Sequence, residues 1–388
     1  MKKIIILFLI IFILCPSRSF AEGTIQSNTS QQEIINSQKS AVNIGKFLNE
    51  AEKYTKDIFK ETNYSTLLNS AIAGNIDNRT LANNILNILG KETLGSIRTI
   101  ASIIIVIIIH SILKSISQGL DNKGIAQVSY YVQYILIVTL IMSNFADIIT
   151  MLKDTISNLV SFSNMLIPIL TTLILTTGNV VSANLLQPIL LFIITFAGNF
   201  ILNIVIPILL ASTALSLVSK ISSYVQLDRL SKFFKSSVVW ALGIILTLFV
   251  NLVSIEGSLS SSVDGVTAKT AKVAVSSFIP VVGRILGDAV DTVIGCASIL
   301  KNALGIIGVI VIIGICIKPI IKLVLLMGTY YIGSAICEPV ADEKIVKLLE
   351  QMGDTFKVML AILCSLSVMI IIGTTLVIKI SNSGLMYR

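Results

Sequence analysis

Long apolar runs separated by short polar stretches dominate the pattern of this chain. A helix needs about 20 apolar residues to cross the ~30 Å hydrocarbon core of a bilayer. The pattern therefore predicts an all-α, polytopic helical membrane protein. The seven runs are residues 97–113, 128–150, 159–178, 184–218, 236–255, 303–337 and 357–378.

Two of these runs, 184–218 and 303–337, are too long for one crossing. A helix of that length would extend about 50 Å, well beyond the hydrocarbon core. Pro207 lies in the first run and Pro319 in the second. A proline inside a span removes a backbone hydrogen bond and marks a bend. We therefore interpret each run as a helical hairpin or a broken helix, which gives about seven to nine spans.

The beginning of the chain is organised differently. Residues 1–21 have two lysines, a short apolar core and Ala21 at the end, which is typical of a signal peptide; the alternative is an uncleaved anchor. Residues 22–96 form a polar region, which we place outside the cytoplasm. Within it, apolar positions between Asn43 and Phe59 follow one helical stripe, so the region is expected to contain small amphipathic helices.

The distribution of charge predicts which segments face the cytoplasm, where Lys and Arg accumulate. If the N-terminal region is outside and both long runs are hairpins, the cytoplasmic segments contain ten Lys/Arg and two acidic residues. The external segments then contain fifteen Lys/Arg and eighteen acidic residues. This asymmetry favours nine passes with a cytoplasmic C-terminus. The cytoplasmic segments are 114–127, 179–183, 219–235, 318–322 and 379–388, and the external ones are 22–96, 151–158, 256–302 and 338–357.

The segment 256–302 contains eight charged residues between apolar runs, and ionisable groups beside spans often have a function. After Pro280, small and acidic residues recur every four positions on one helical stripe, and Arg284 and Asp288 are i,i+4 neighbours. Small residues at this spacing allow another helix to approach closely. Residues 281–300 could thus be a packing or pathway-lining helix, or an amphipathic helix on the external face. The stripe consists of Gly283, Gly287, Asp291 and Gly295.

Composition supports the membrane class and excludes others. Hydrophobic residues make up 54% and charged residues 13%, with a mean hydropathy of +0.90. The basic residues are scattered, so we expect no nucleic-acid binding. No catalytic or metal-binding motif is present, and the single histidine, His110, lies in an apolar run, so we expect neither an enzyme nor a cofactor. Four cysteines are interpreted as small buried hydrophobic residues: Cys296, Cys316, Cys337 and Cys364.

The string VDGVTAKTAKVAVSSFIPVVGRILGDAVDTVIG, residues 263–295, resembles the signature of the stage III sporulation protein AE family of endospore-forming Firmicutes. The resemblance implies a membrane subunit of a channel or secretion-like complex between mother cell and forespore. That complex supports late forespore gene expression under sigma G and forespore integrity. The implied partners are other membrane proteins of the same operon and a forespore membrane protein. The implied location is the mother-cell membrane around the forespore.

From the resemblance we take only the signature stretch, as a candidate assembly or gating surface. Its candidate residues are Asp264, Lys269, Lys272, Pro280, Gly283, Arg284, Gly287, Asp288, Asp291 and Gly295. The expected organisation is a signal peptide (1–21), an extracytoplasmic region (22–96), a first membrane half (97–255), the signature segment (256–302) and a second membrane half (303–388).

A different class of function stays open at this point. Long runs interrupted near their middles, as at Pro207 and Pro319, are also typical of secondary transporters. The alternative prediction is therefore a permease that moves a small solute by itself.

Overall fold

A computed structural model describes residues 34–39, 44–55, 64–72, 123–221, 227–278 and 282–383, with scattered positions between residues 90 and 112. The side chains of residues 256–291 lie outside this description, as do the expected signal peptide and six of the seventeen positions of the run 97–113. In the described part every element is helical, which confirms the all-α class. The helices are α1 (Ile44–Thr55), α2 (Tyr64–Ile72), α3 (Lys123–Thr176), α4 (Val180–Phe200), a π-helical turn (Ile201–Val205), α5 (Ile206–Ile221), α6 (Asp228–Phe278), α7 (Val282–Cys337) and α8 (Glu343–Ser383).

Five of the described helical segments are long and apolar enough to cross a membrane, which supports a multi-pass membrane protein. Their buried faces form one hydrophobic core, to which Phe162, Leu304 and Phe356 each contribute a fully buried side chain. The segments are Tyr134–Thr176, Val180–Lys220, Asp228–Ile255, Thr292–Cys337 and Glu343–Lys379.

The expected external loop at residues 151–158 is wrong, because α3 continues through it without interruption. The stretch MLKDTISN contains neither glycine nor proline, so nothing in it breaks a helix. Leu152 and Ile156 are fully buried, whereas Lys153 and Asp154 are exposed. The polar residues therefore occupy one face of an amphipathic helix.

The two long runs are also continuous helices, and the hairpin interpretation of them is wrong. Residues 303–337 lie within α7, which passes through Pro319. In the run 184–218 the helix is altered only by a π-helical turn just before Pro207, where the N–H of Ile206 donates to the carbonyl of Ile201. A π turn inside an α-helix absorbs an irregularity without ending the helix. Each run thus crosses the bundle once.

One crossing instead of two changes which segments lie at the same end of the bundle. Ser216 of α5 donates to the side-chain oxygen of Gln351 in α8, and the Gln351 Nε2 lies 3.4 Å from Oδ1 of Asp228 in α6. The Lys235 Nζ lies 2.9 Å from the Gln351 carbonyl oxygen. Residues 219–235 and 338–357 therefore share one end of the bundle, here named the Gln351 end. Their expected placement on opposite sides of the membrane is wrong.

The opposite end, here named the Gly178 end, begins with the tight turn between α3 and α4. Gly178 has φ +85°, a conformation that glycine adopts without steric cost. The N–H groups of Thr177 and Asn179 both contact the Ile174 carbonyl, at 3.0 and 3.4 Å, so the turn satisfies the end of α3. The junction between α6 and α7 and the last turn of α8 lie at this same end.

The N-terminal region contacts the half of the bundle nearer the Gly178 end. The predicted helical stripe near Asn43 is confirmed as α1, where Phe47 and Tyr54 pack their rings against Phe162 of α3 at 5.9 and 6.0 Å. The Gln38 Nε2 lies 3.3 Å from the carbonyl oxygen of Val293 in α7. The polar region is thus attached to the membrane helices on one side.

Candidate functional site

The described backbone of the signature segment belongs to the end of α6 and the beginning of α7. The backbone of α6 extends to Phe278, and α7 begins at Val282, two residues after Pro280, as expected for a helix opened there. Gly295 is half-buried, and a Cβ built on it would meet no atom within 4 Å. The side chains of the other candidate residues lie outside the described part, so their role stays a prediction. They are Asp264, Lys269, Lys272, Pro280, Gly283, Arg284, Gly287, Asp288 and Asp291.

The described end of the signature segment contains a buried positive charge. Lys301 is fully buried, and its Nζ donates to the carbonyl oxygen of Ile378 in α8 at 2.6 Å. Ile378 lies near the end of α8, where backbone carbonyls carry the negative pole of the helix dipole and favour a cation. Lys301 therefore couples the start of the α7 span to the end of α8.

Two further polar groups lie beside Lys301 on α7. The Ser298 Oγ and the Asn302 Oδ1 are buried and have no hydrogen-bond partner among the described residues. In the sequence, Lys301 is one of the eight charges of the segment and is not among the candidate residues. The signal that could have identified it is the apolar run that begins two residues later, because a charged side chain inside a span is costly unless it is bonded.

Close helix packing continues along α7 from this point. A Cβ on Gly305 would lie 2.4 Å from the side chain of Ile378, and a Cβ on Gly308 would lie 2.5 Å from Leu166 of α3. Two glycines one turn apart therefore allow α7 to contact both α8 and α3 closely. The small-residue packing that was predicted for 283–295 is observed further along the same helix, at positions that the sequence analysis did not single out.

At the Gln351 end, polar side chains connect α5, α6 and α8. Gln351 contacts Ser216 and Asp228 through its side chain, and its backbone carbonyl accepts a hydrogen bond from Lys235. Asp228 also forms an ion pair, in which its Oδ2 lies 2.5 Å from the Lys220 Nζ. These bonds satisfy polar groups in a partly buried position, where an unpaired group would cost about 1–3 kcal/mol. The cluster connects helices, and its groups show no arrangement of nucleophile and base.

The chemistry of the described residues is that of a packed membrane bundle. No group of three or more His, Cys, Asp or Glu side chains among them could hold a metal ion. Cys296, Cys316, Cys337 and Cys364 are free and buried, which confirms their interpretation as small apolar residues. The expectation that the chain is not an enzyme stays a prediction.

Comparison with known proteins agrees with the resemblance seen in the sequence. The profile of the family described as Stage III sporulation protein AE matches residues 62–381. The protein called Stage III sporulation protein AE in Bacillus subtilis (strain 168) is 30% identical over 300 residues, which is 77% of this chain and 75% of that protein. No solved structure matches this chain.

Proposed function

The chain belongs to the stage III sporulation protein AE family, and we propose that it is a membrane subunit of the channel or secretion-like complex that joins the mother cell to the forespore. A role in sporulation follows from the family. The observation that supports a subunit of a complex is the architecture: a bundle with five candidate spans carries a polar helical region on one side, and its charged signature segment extends two helices at that same side.

We infer the orientation from the charges at the two ends. The Gln351 end carries seven basic and six acidic residues in 219–235 and 338–357, and because Lys and Arg set orientation more strongly than acids do, we infer that this end faces the cytoplasm of the mother cell. The Gly178 end then faces the space between the two membranes. The N-terminal helices and the junction of α6 and α7 lie on that side, where a forespore partner would be met. The end of α8 lies there too, whereas nine passes predict a cytoplasmic C-terminus.

Cysteine labelling tests this orientation. In intact bacteria that express the full chain, Lys379→Cys, at the Gly178 end of α8, should react with a membrane-impermeant maleimide. Val340→Cys, an exposed position at the Gln351 end, should react only after the membrane is permeabilised. The native cysteines of the bundle are buried, so they contribute a low background. The reverse pattern would refute the orientation.

Deletion of the gene in its own host tests the proposed function. We expect engulfment to proceed normally, followed by small, collapsing forespores in which a reporter under sigma G stays silent. Complementation with the full-length gene should restore both. Normal spores in the deletion strain would contradict the proposal.

The transporter alternative receives support from one feature, the π-helical turn beside Pro207 in the middle of a span. Such irregular turns are frequent at functional sites of membrane helices. The purified chain in liposomes distinguishes the two: a permease moves a polar solute alone, whereas a subunit of a complex needs the other chains. Transport by the isolated chain, together with normal sporulation of the deletion strain, would favour the permease.

A further inference from the structure

The outer face of α3 carries a line of polar side chains from Thr139 to Asn164. Exposed polar side chains recur every three or four residues, so they form one line along the helix. The opposite face, with Leu152, Ile156 and Leu166, is fully buried in the bundle. The line consists of Thr139, Ser143, Asp147, Thr150, Asp154, Ser157, Ser161 and Asn164, here named the α3 polar stripe.

Contacts with α8 give the depth of this stripe. Phe145 packs against Phe356 of α8 with ring centroids 6.3 Å apart. Leu166 lies against Gly308, which is one turn from the contact between Gly305 and Ile378. The part of α3 between Phe145 and Leu166 therefore runs beside the apolar run 357–378 of α8. That run is about 30 Å long, so the stripe between Asp147 and Ser157 lies at the depth of the hydrocarbon core, whereas its end at Ser161 and Asn164 is level with α1, which packs on Phe162.

The outer face of α6 shows what a lipid-facing surface of this bundle looks like at the same depth. Phe249 of α6 lies near Gly373 in the same run of α8, which fixes its level. A line of exposed apolar side chains follows this face, with the uncharged polar residues Thr247, Asn251 and Ser254 beside it, and no charged residue lies between 236 and 255. The apolar line consists of Trp240, Ile244, Leu248, Leu252 and Ile255, each at least 46% exposed.

Exposure of the α3 polar stripe to lipid would cost more free energy than exposure of the apolar line on α6. A charged side chain at the centre of a bilayer costs about 2.5–3.5 kcal/mol on insertion scales, and Asp147, Lys153 and Asp154 are all exposed here. The hydroxyl of Thr150 donates to the Ala146 carbonyl of its own helix, so the charged side chains account for most of this cost. Cys316 of α7 contacts Ser367 in the middle of α8. Lys318, two residues further along α7, is exposed at this depth as well. Water, or polar groups of another chain, would satisfy these charged side chains.

We propose that the α3 polar stripe lines a water-filled path through the membrane, so that this chain forms part of the wall of a conduit for small polar solutes. The inference rests on the proposed function, because an outward-facing wall encloses a path only when other chains of a complex complete it. The Asn164 Oδ1, which accepts a bond from Thr195 of α4 at 3.2 Å, marks where the stripe meets the neighbouring helix. The exposed Asn199 and Asn203 extend the polar surface onto that helix.

The test is the rate at which single cysteines react with a charged methanethiosulfonate reagent in membranes isolated from sporulating cells. Ser157→Cys and Ser161→Cys probe the stripe, and serine and cysteine differ by one atom, so the fold is preserved. Ile244→Cys and Leu248→Cys on the outer face of α6 are the matched controls. The reagent attacks the thiolate, and an apolar environment raises the pKa of a thiol, so a shift of two units slows the reaction about 100-fold.

We expect the stripe cysteines to react about 100-fold faster than the α6 controls, and all four to react equally after denaturation in detergent. Stripe cysteines as slow as the controls in native membranes would overturn the proposal, because the stripe would then be a dry packing face. The deletion phenotype is independent of this rate. A sporulation defect with unreactive stripe cysteines would refute the water-filled path and leave the proposed function standing.

Discussion

Gly198→Ala is expected to lower the free energy of unfolding by about 1–3 kcal/mol, although alanine is the better helix former. A Cβ at position 198 would lie 2.3 Å from Cγ2 of Val160 in α3. Valine in a helix has essentially one χ1 rotamer, so its methyl group cannot rotate away. The two helices must separate instead, and the buried contacts around Ala197 and Ile201 loosen.

Gly243→Ala in α6 is the matched control, because no atom lies within 4 Å of its Cβ position. It should raise the stability by up to about 1 kcal/mol through helix propensity alone. The melting temperatures of the purified variants in detergent, measured by the loss of the helical signal, show whether each substitution lowers or raises the stability. Adding Val160→Ala to Gly198→Ala should recover most of the loss, because it removes the clashing methyl group. Equal melting temperatures for Gly198→Ala and Gly243→Ala would contradict the close approach of α3 and α4.

The second large effect on stability is expected at Lys301, where the replacement residue decides whether stability falls or is kept. Lys301→Glu places a carboxylate in a fully buried position against the Ile378 carbonyl oxygen, so two negative groups meet where a cation was bonded. An uncompensated buried charge costs about 3–5 kcal/mol, so little folded protein should be recovered. Lys301→Met keeps the length of the side chain without the charge. It should be neutral or stabilising, because replacement of a buried charged group by a packed apolar one often is.

Lys379→Glu is the control, since it introduces the same charge reversal one residue beyond Ile378 at an exposed position. It should change the stability by no more than about 0.5 kcal/mol. The amount of detergent-extracted protein that elutes as a single species, with its melting temperature, measures all three variants. Normal recovery of Lys301→Glu would show that Lys301 is not buried against α8.

Interruptions in hydropathy were the least reliable guide to this fold. The polar residues at 151–158 and the prolines at 207 and 319 predict ends of spans or breaks in them, yet in each case the helix continues. A polar stretch ends a span only if its residues point in all directions. Here Lys153 and Asp154 point outward while Leu152 and Ile156 point into the core, and the period of 3.6 residues was visible in the sequence. Prolines are tolerated in membrane helices because local π adjustments and neighbours satisfy the freed backbone groups.

Local features of the sequence are sufficient to predict the class of the protein, its helical character and its family. Those properties depend on local composition, on apolar runs longer than a bilayer requires and on the residues of 263–295, none of which needs a partner in space. The packing of the helices was needed to show that Asp228 and Gln351 lie at one end, that Lys301 is bonded to α8, and that the outer face of α3 carries charged side chains at a depth where that of α6 carries none. This is because burial and depth are properties of pairs of helices. A polar residue in a helix has the same local preference whether it faces the core, lipid or water, and only its neighbours determine what that position costs.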